Sequence, residues 1–127
     1  MENKEGEGMI ILLLLFATLV VETAVLLFIL KEQKKSLVVA CSVFASTLTH
    51  GIFFLLIAPN LIQIPLIHIE FFVYPILVLS YEIFVVVAEA ALFKILLEKI
   101  SWGKAFFASL AANFASFVVG IIFGFLL

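Results

Sequence analysis

Glu22, Glu82 and Glu89 lie inside apolar runs long enough to cross a bilayer. A carboxylate at the centre of a membrane costs about 3 kcal/mol on insertion scales, so it is expected to face a bundle interior and to serve a purpose there. The chemistry open to such a group is narrow: it holds a proton, holds a cation, or pairs with a basic group of a partner. Suitable donors recur at fixed spacing. Glu22 precedes Ser42 and Ser46 by 20 and 24 residues, and Glu89 precedes Ser109 and Asn113 by the same intervals. We therefore read Glu22, Glu89, Ser46, Asn113, Ser42 and Ser109 as candidate ion- or substrate-binding residues, in two clusters facing one another.

Depth supports the pairing. Glu22 lies roughly 13 Å before Lys31 along a helix, and Ser42 and Ser46 stand roughly 9 and 15 Å up the returning helix, so the three are level. A carboxylate in hydrocarbon needs donors, and hydroxyl and amide groups of the adjoining helix can supply them. Glu89 bears the same relation to Ser109 and Asn113 across the later loop.

His50 and Glu82 fall at nearly one depth in the other half of the bilayer and form an outer-half polar pair. The pair reads either as a satisfied structural contact or as an outer proton relay or cation site. Ser46, Thr49 and His50 are close in sequence, but no nucleophile elbow and no His-Glu-x-x-His motif accompanies them, so no catalytic residue is assigned. The lone Cys41 reads as a small hydrophobe at a helix interface, and His68-x-Glu70 as a solvated loop edge. No metal site and no cofactor follow from the sequence.

The elements that must position these residues are visible as apolar runs. They extend from Met9 to Leu30, Leu37 to Ala58, about Phe71 to Leu97, and Ala105 to Leu127. Each reaches the ~20 residues a helix needs to span the hydrocarbon. The connections 31–36, 59–70 and 98–104 leave no room for a soluble domain. The expectation is an all-α membrane protein, a four-transmembrane-helix bundle over residues 9–127 behind an acidic tail at residues 1–8. A closed barrel would also satisfy the backbone in lipid, but the strict alternation it requires is absent.

Composition excludes several classes. Of 127 residues, 66% are hydrophobic and 13% charged, which no water-soluble domain of this size sustains. The chain has lysine but no arginine, and nine acidic residues against seven basic ones, so nothing suggests a nucleic-acid partner. The partners to expect are the lipid bilayer and either further copies of the chain or a membrane complex.

Shifting the chain by 67 residues places Glu22 on Glu89, Ser42 on Ser109, Ser46 on Asn113 and Thr49 on Ser116. These polar matches point to two parallel, direct helix-hairpin repeats, at 10–60 and 77–127. Lys31, Lys34 and Lys35 in one loop and Lys94, Lys99 and Lys104 around another place both loops in the cytoplasm by the positive-inside rule, with both termini outside a cell membrane. The acidic head, with Glu2, Glu5 and Glu7, is the opposite of a signal-peptide n-region, so the first run reads as a permanent span.

Two functional classes remain open. One is a small transporter or channel-like protein whose buried glutamates bind a proton or cation. The other is an accessory or assembly subunit of a larger membrane complex, its carboxylates paired with a partner. An intramembrane enzyme is a distant third.

Overall fold

A computed structural model describes residues 4–52 and 70–126. The described residues form four helices, α1 (Lys4–Ile29), α2 (Lys35–Ile52), α3 (Glu70–Leu96) and α4 (Trp102–Leu126). Leu, Ile, Phe and Ala dominate them, and in an apolar medium a helix pairs all of its own interior backbone groups. Three of the helices, α1, α2 and α4, are long and apolar enough to cross a membrane. The chain is thus an all-helical protein whose helices associate it with a membrane. Of the connection expected at 59–70, residues 59–69, His68 among them, lie outside the described residues, and Glu70 is already the first residue of α3.

The helix boundaries follow local chemistry. The expected tail is not separate from the first helix: α1 begins at Lys4 and takes in Glu5 and Glu7. Ser101 caps α4, its Oγ accepting the Lys104 amide at 3.2 Å. After α3 the backbone turns through Lys99, at φ 58°, the left-handed geometry common just beyond a helix end. Pro75 sits within the first two turns of α3, near the helix end where proline costs least.

Packing runs around a ring. α1 lies against α2 and α4, and α3 lies against α2 and α4. The two short loops are tied together at one end of this ring. Gln33 Nε2 donates to the Glu98 carbonyl at 2.8 Å, Lys94 Nζ donates to the Ile100 carbonyl at 2.7 Å, and Lys104 pairs with Glu32. The Lys104 ammonium holds the exposed Glu32 carboxyl below its ordinary pKa range.

Next to those loops lies an apolar layer, with Leu26, Leu30, Val38, Phe93, Leu97 and Ile100 buried, and Ala105 and Ala108 letting helices approach. Beyond it the interior turns polar. Glu22, Ser42, Ser46, Thr49, Glu89, Ser109, Asn113 and Ser116 are all buried. The outward faces are the reverse, carrying Phe16, Phe28, Ile83, Ile95, Phe107 and Phe114 exposed. Polar inside and apolar outside is the pattern lipid imposes, because lipid gives apolar side chains no reason to hide.

Ser109, Asn113, Ser116, Gly120 and Gly124 step by three or four residues along α4, a spacing that reads as one stripe, with a small-residue packing seam expected at Ser116, Gly120 and Gly124. Burial stops at Ser116. Gly120 is exposed, and a Cβ added there would meet nothing within 4 Å among the described residues, so no described helix approaches it closely. The side-chain surroundings of Gly124 lie outside the described residues.

Candidate functional site

Four helices contribute to one polar centre. Glu22 from α1 is 1% exposed and Glu89 from α3 is 2% exposed. Both belong to one polar cluster: Thr49 Oγ1 lies 3.4 Å from Glu89 Oε1 and 3.3 Å from the carbonyl of Ser46, whose hydroxyl donates to Glu22. Two carboxylates that share an interior repel, and one proton or one cation between them removes the repulsion.

The donors are arranged alike around both. Ser46 of α2 donates its hydroxyl to Glu22 Oε2 at 2.6 Å. Asn113 of α4 donates from Nδ2 to Glu89 Oε2 at 2.6 Å, and Ser109 adds its hydroxyl to the same oxygen at 3.0 Å. Asn113 Nδ2 also reaches the Ser109 carbonyl at 3.0 Å, so both of its hydrogens have acceptors. In each carboxyl, Oε2 is therefore firmly anchored.

The Oε1 oxygens are not. Glu22 Oε1 is buried and has no hydrogen-bond partner among the described residues. The Ser116 hydroxyl faces this carboxyl, but its one proton goes to the Asn113 carbonyl at 2.9 Å. Glu89 Oε1 has only Thr49 Oγ1, at 3.4 Å, a hydroxyl that lies closer to the Ala45 carbonyl at 3.0 Å. At 3.4 Å such a contact is weak. Each glutamate thus offers one oxygen with lone pairs to spare inside a closed interior.

Of the six candidates read from the sequence, Glu22 with Ser46 and Glu89 with Ser109 and Asn113 are brought together. Ser42 is not on the carboxylate: its hydroxyl shares a 2.8 Å hydrogen bond with Thr23, one residue along α1. A competing hydroxyl one position away from Glu22 draws Ser42 off, and the corresponding position on α3 is Ala90, which leaves Ser109 free for Glu89.

His50 and Glu82 sense each other's charge, yet no hydrogen bond joins them, and His50 Nε2 is buried without a partner among the described residues. The outer-half pair is thus a near approach rather than a contact. Sequence reasoning missed Tyr81, which donates from its hydroxyl to the Thr49 carbonyl at 2.9 Å and ties α3 to α2 beside the cluster. Its signal was available: Tyr81 neighbours Glu82 and is one of only two tyrosines in the chain.

No group of three or more His, Cys, Asp or Glu residues among those described could hold a metal ion. Cys41 is buried as a free thiol in the apolar layer. Fold and site together define a small all-helical protein, apolar outside, with two buried carboxyls, each hydrogen-bonded to side chains of a neighbouring helix. Comparison with known proteins finds no matching family model, no matching curated protein and no matching solved structure.

Proposed function

We propose that this chain is a small four-span membrane protein in which Glu22 and Glu89 together bind a proton or a small cation for transport. The observation that carries the reading is Glu22 Oε1, a buried carboxyl oxygen with no hydrogen-bond partner among the described residues, in a cluster that holds a second buried carboxyl. Packing needs neither glutamate. Two such groups add about 6 kcal/mol to the cost of membrane insertion, a cost that selection for stability alone would remove. Donor side chains that fix one oxygen of each carboxyl and leave the other open suit a site that fills and empties.

The four-span and repeat readings belong to the same proposal. The 27 residues of α3 would reach about 40 Å, more than a bilayer core requires. Residues 67 apart share burial: Leu26 and Phe93, Leu30 and Leu97, Val38 and Ala105, Cys41 and Ala108, Ala45 and Ala112. Hydrogen bonds share the same offset, since Ser46 to Glu22 matches Asn113 to Glu89. Thr49 reaches across to Glu89 while its counterpart Ser116 faces Glu22. A pseudo-two-fold axis along the bundle, relating two parallel hairpins, accounts for all of these. The site would lie on that axis, where both halves contribute equally.

The lysine loops, tied to each other, would close the cytoplasmic end, with both termini outside. Single-cysteine variants in a Cys41→Ala background check this orientation. An impermeant thiol reagent added outside intact cells should label Lys4→Cys and spare Lys34→Cys and Lys99→Cys; the opposite pattern inverts the topology.

The functional experiment is proton or cation flux into liposomes holding the purified chain, compared with Glu22→Gln and Glu89→Gln. Flux that either variant abolishes supports transport. A silent wild type, with folded Gln variants that no longer join a larger membrane complex, would replace this reading with the accessory-subunit one.

A further inference from the structure

Thr49 and Ser116 stand 67 residues apart, as Glu22 and Glu89 do, and both are buried, at 2% and 8% exposure. Each donates its single proton within its own helix. Thr49 Oγ1 donates to the Ala45 carbonyl at 3.0 Å, and Ser116 Oγ donates to the Asn113 carbonyl at 2.9 Å. A hydroxyl committed in this way offers only lone pairs to its other neighbours. Those neighbours are the carboxyls: Ser116 faces Glu22, and Thr49 Oγ1 lies 3.4 Å from Glu89 Oε1.

The four groups meet in the middle of the ring. Glu22 on α1 is held by Ser46 of α2 and faces Ser116 of α4, while Glu89 on α3 is held by Ser109 and Asn113 of α4 and approached by Thr49 of α2. α1 and α3 occupy opposite corners, and side chains from opposite corners that touch the same two helices both reach the space between them. Glu22 Oε1 has no hydrogen-bond partner among the described residues. These four groups thus bring lone pairs to one another, and a positive charge among them turns repulsion into attraction in a dry interior.

We propose that Glu22, Thr49, Glu89 and Ser116 form, one ligand from each helix, the binding site of a dehydrated, sodium-sized monovalent cation. The inference rests on the reading of Glu22 and Glu89 as the transport site, and it names the substrate and two further ligands. The carboxyls alone make no metal-binding group, and the two hydroxyls complete the set. Oxygen ligands of a calcium-sized ion, whose radius sodium nearly matches, lie at about 2.4 Å, so two of them 3.4 Å apart subtend about 90° at the ion, an ordinary angle between neighbouring ligands. A carboxylic acid donating its proton to Thr49 would instead draw the two oxygens to about 2.7 Å. Calcium itself takes about six to eight oxygens, more than these side chains present. The negative charge that one monovalent ion leaves is served by the donors on the two Oε2 atoms, Ser46, Ser109 and Asn113.

The test is equilibrium dialysis of radiolabelled sodium against the full chain in nanodiscs of zwitterionic lipid, with choline chloride as the background salt and empty nanodiscs as the blank. Wild type should bind one sodium ion per chain, displaced by unlabelled sodium and not by the same concentration of potassium. Thr49→Val keeps the shape of the side chain and removes the oxygen; it should weaken binding about tenfold, the equivalent of one hydrogen bond to a charged group. Ser116→Ala should weaken it similarly. Thr49→Ser returns the oxygen without the methyl group and should recover most of the loss, which a purely packing role for Thr49 would not allow.

Absence of saturable sodium binding by the wild type overturns the inference, and so does equal displacement by potassium, whether or not the variants fold. Full-strength binding by folded Thr49→Val or Ser116→Ala overturns the ligand set. Flux of protons that depends on Glu22 and Glu89, without sodium binding, would remove this inference and leave the transport reading in place. Sodium binding without flux of any ion would remove transport and leave the site.

Discussion

Asn113→Ala should destabilise the protein by about 2 kcal/mol, more than any other single hydroxyl or amide truncation in the interior. Asn113 makes one of the two shortest hydrogen bonds to a buried carboxyl and uses its second hydrogen on the Ser109 carbonyl. Its loss leaves Glu89, 2% exposed, with the Ser109 hydroxyl at 3.0 Å as its main donor. Hydrogen bonds between helices in membranes average nearer 0.6 kcal/mol, because the unfolded chain finds other partners there. A buried carboxyl lies at the upper end of the scale, since neither water nor lipid can replace the missing donor. Ser109→Ala should cost about half as much, with Asn113 still in place. The check is a double-mutant cycle followed by unfolding in mixed micelles: in a Glu89→Gln background, Asn113→Ala should lose most of its effect. An undiminished cost would mean that Asn113 acts through helix packing and not through the carboxyl.

Glu22→Gln and Glu89→Gln should each reduce proton or cation flux in liposomes to the level of protein-free vesicles. Gln keeps the shape and can still accept from Ser46 or Asn113 through its amide oxygen, so both variants should fold. What Gln lacks is the exchangeable proton and the negative charge. The two carboxyls share one buried polar cluster, so the double variant should be no worse than either single one. Effects that add would instead indicate two independent sites, and the pseudo-two-fold account of the centre would fail with them.

The depth argument that places Glu22 level with Ser46, and Glu89 level with Asn113, needs only helical rise and a short loop. Both hydrogen bonds span 24 residues across a hairpin that turns within a few residues. Relations between hairpins were harder to read. Thr49 pointing to Glu89, and Ser116 facing Glu22, depend on how one hairpin docks against the other, and no local rule fixes that angle. Ser42 shows the resolution of depth reasoning: it places a residue on a level but does not choose between Glu22 and the neighbouring Thr23. Gly120 shows the limit of a helical stripe, which extends along one face whether or not a neighbouring helix still follows it.

The central claim is that Glu22 and Glu89 hold an exchangeable proton or cation, and it is tested most directly by carbodiimide labelling. A lipid-soluble carbodiimide adds to a protonated carboxyl in an apolar site, and the residue modified is read by mass spectrometry of the purified chain in nanodiscs. The account predicts labelling at Glu22 or Glu89, one adduct per chain because the two share a site, suppressed as pH rises or as a bound cation takes the proton's place. Labelling confined to the loop carboxyls of Glu32 and Glu98, with Glu22 and Glu89 unmodified at every pH and cation concentration, would contradict it.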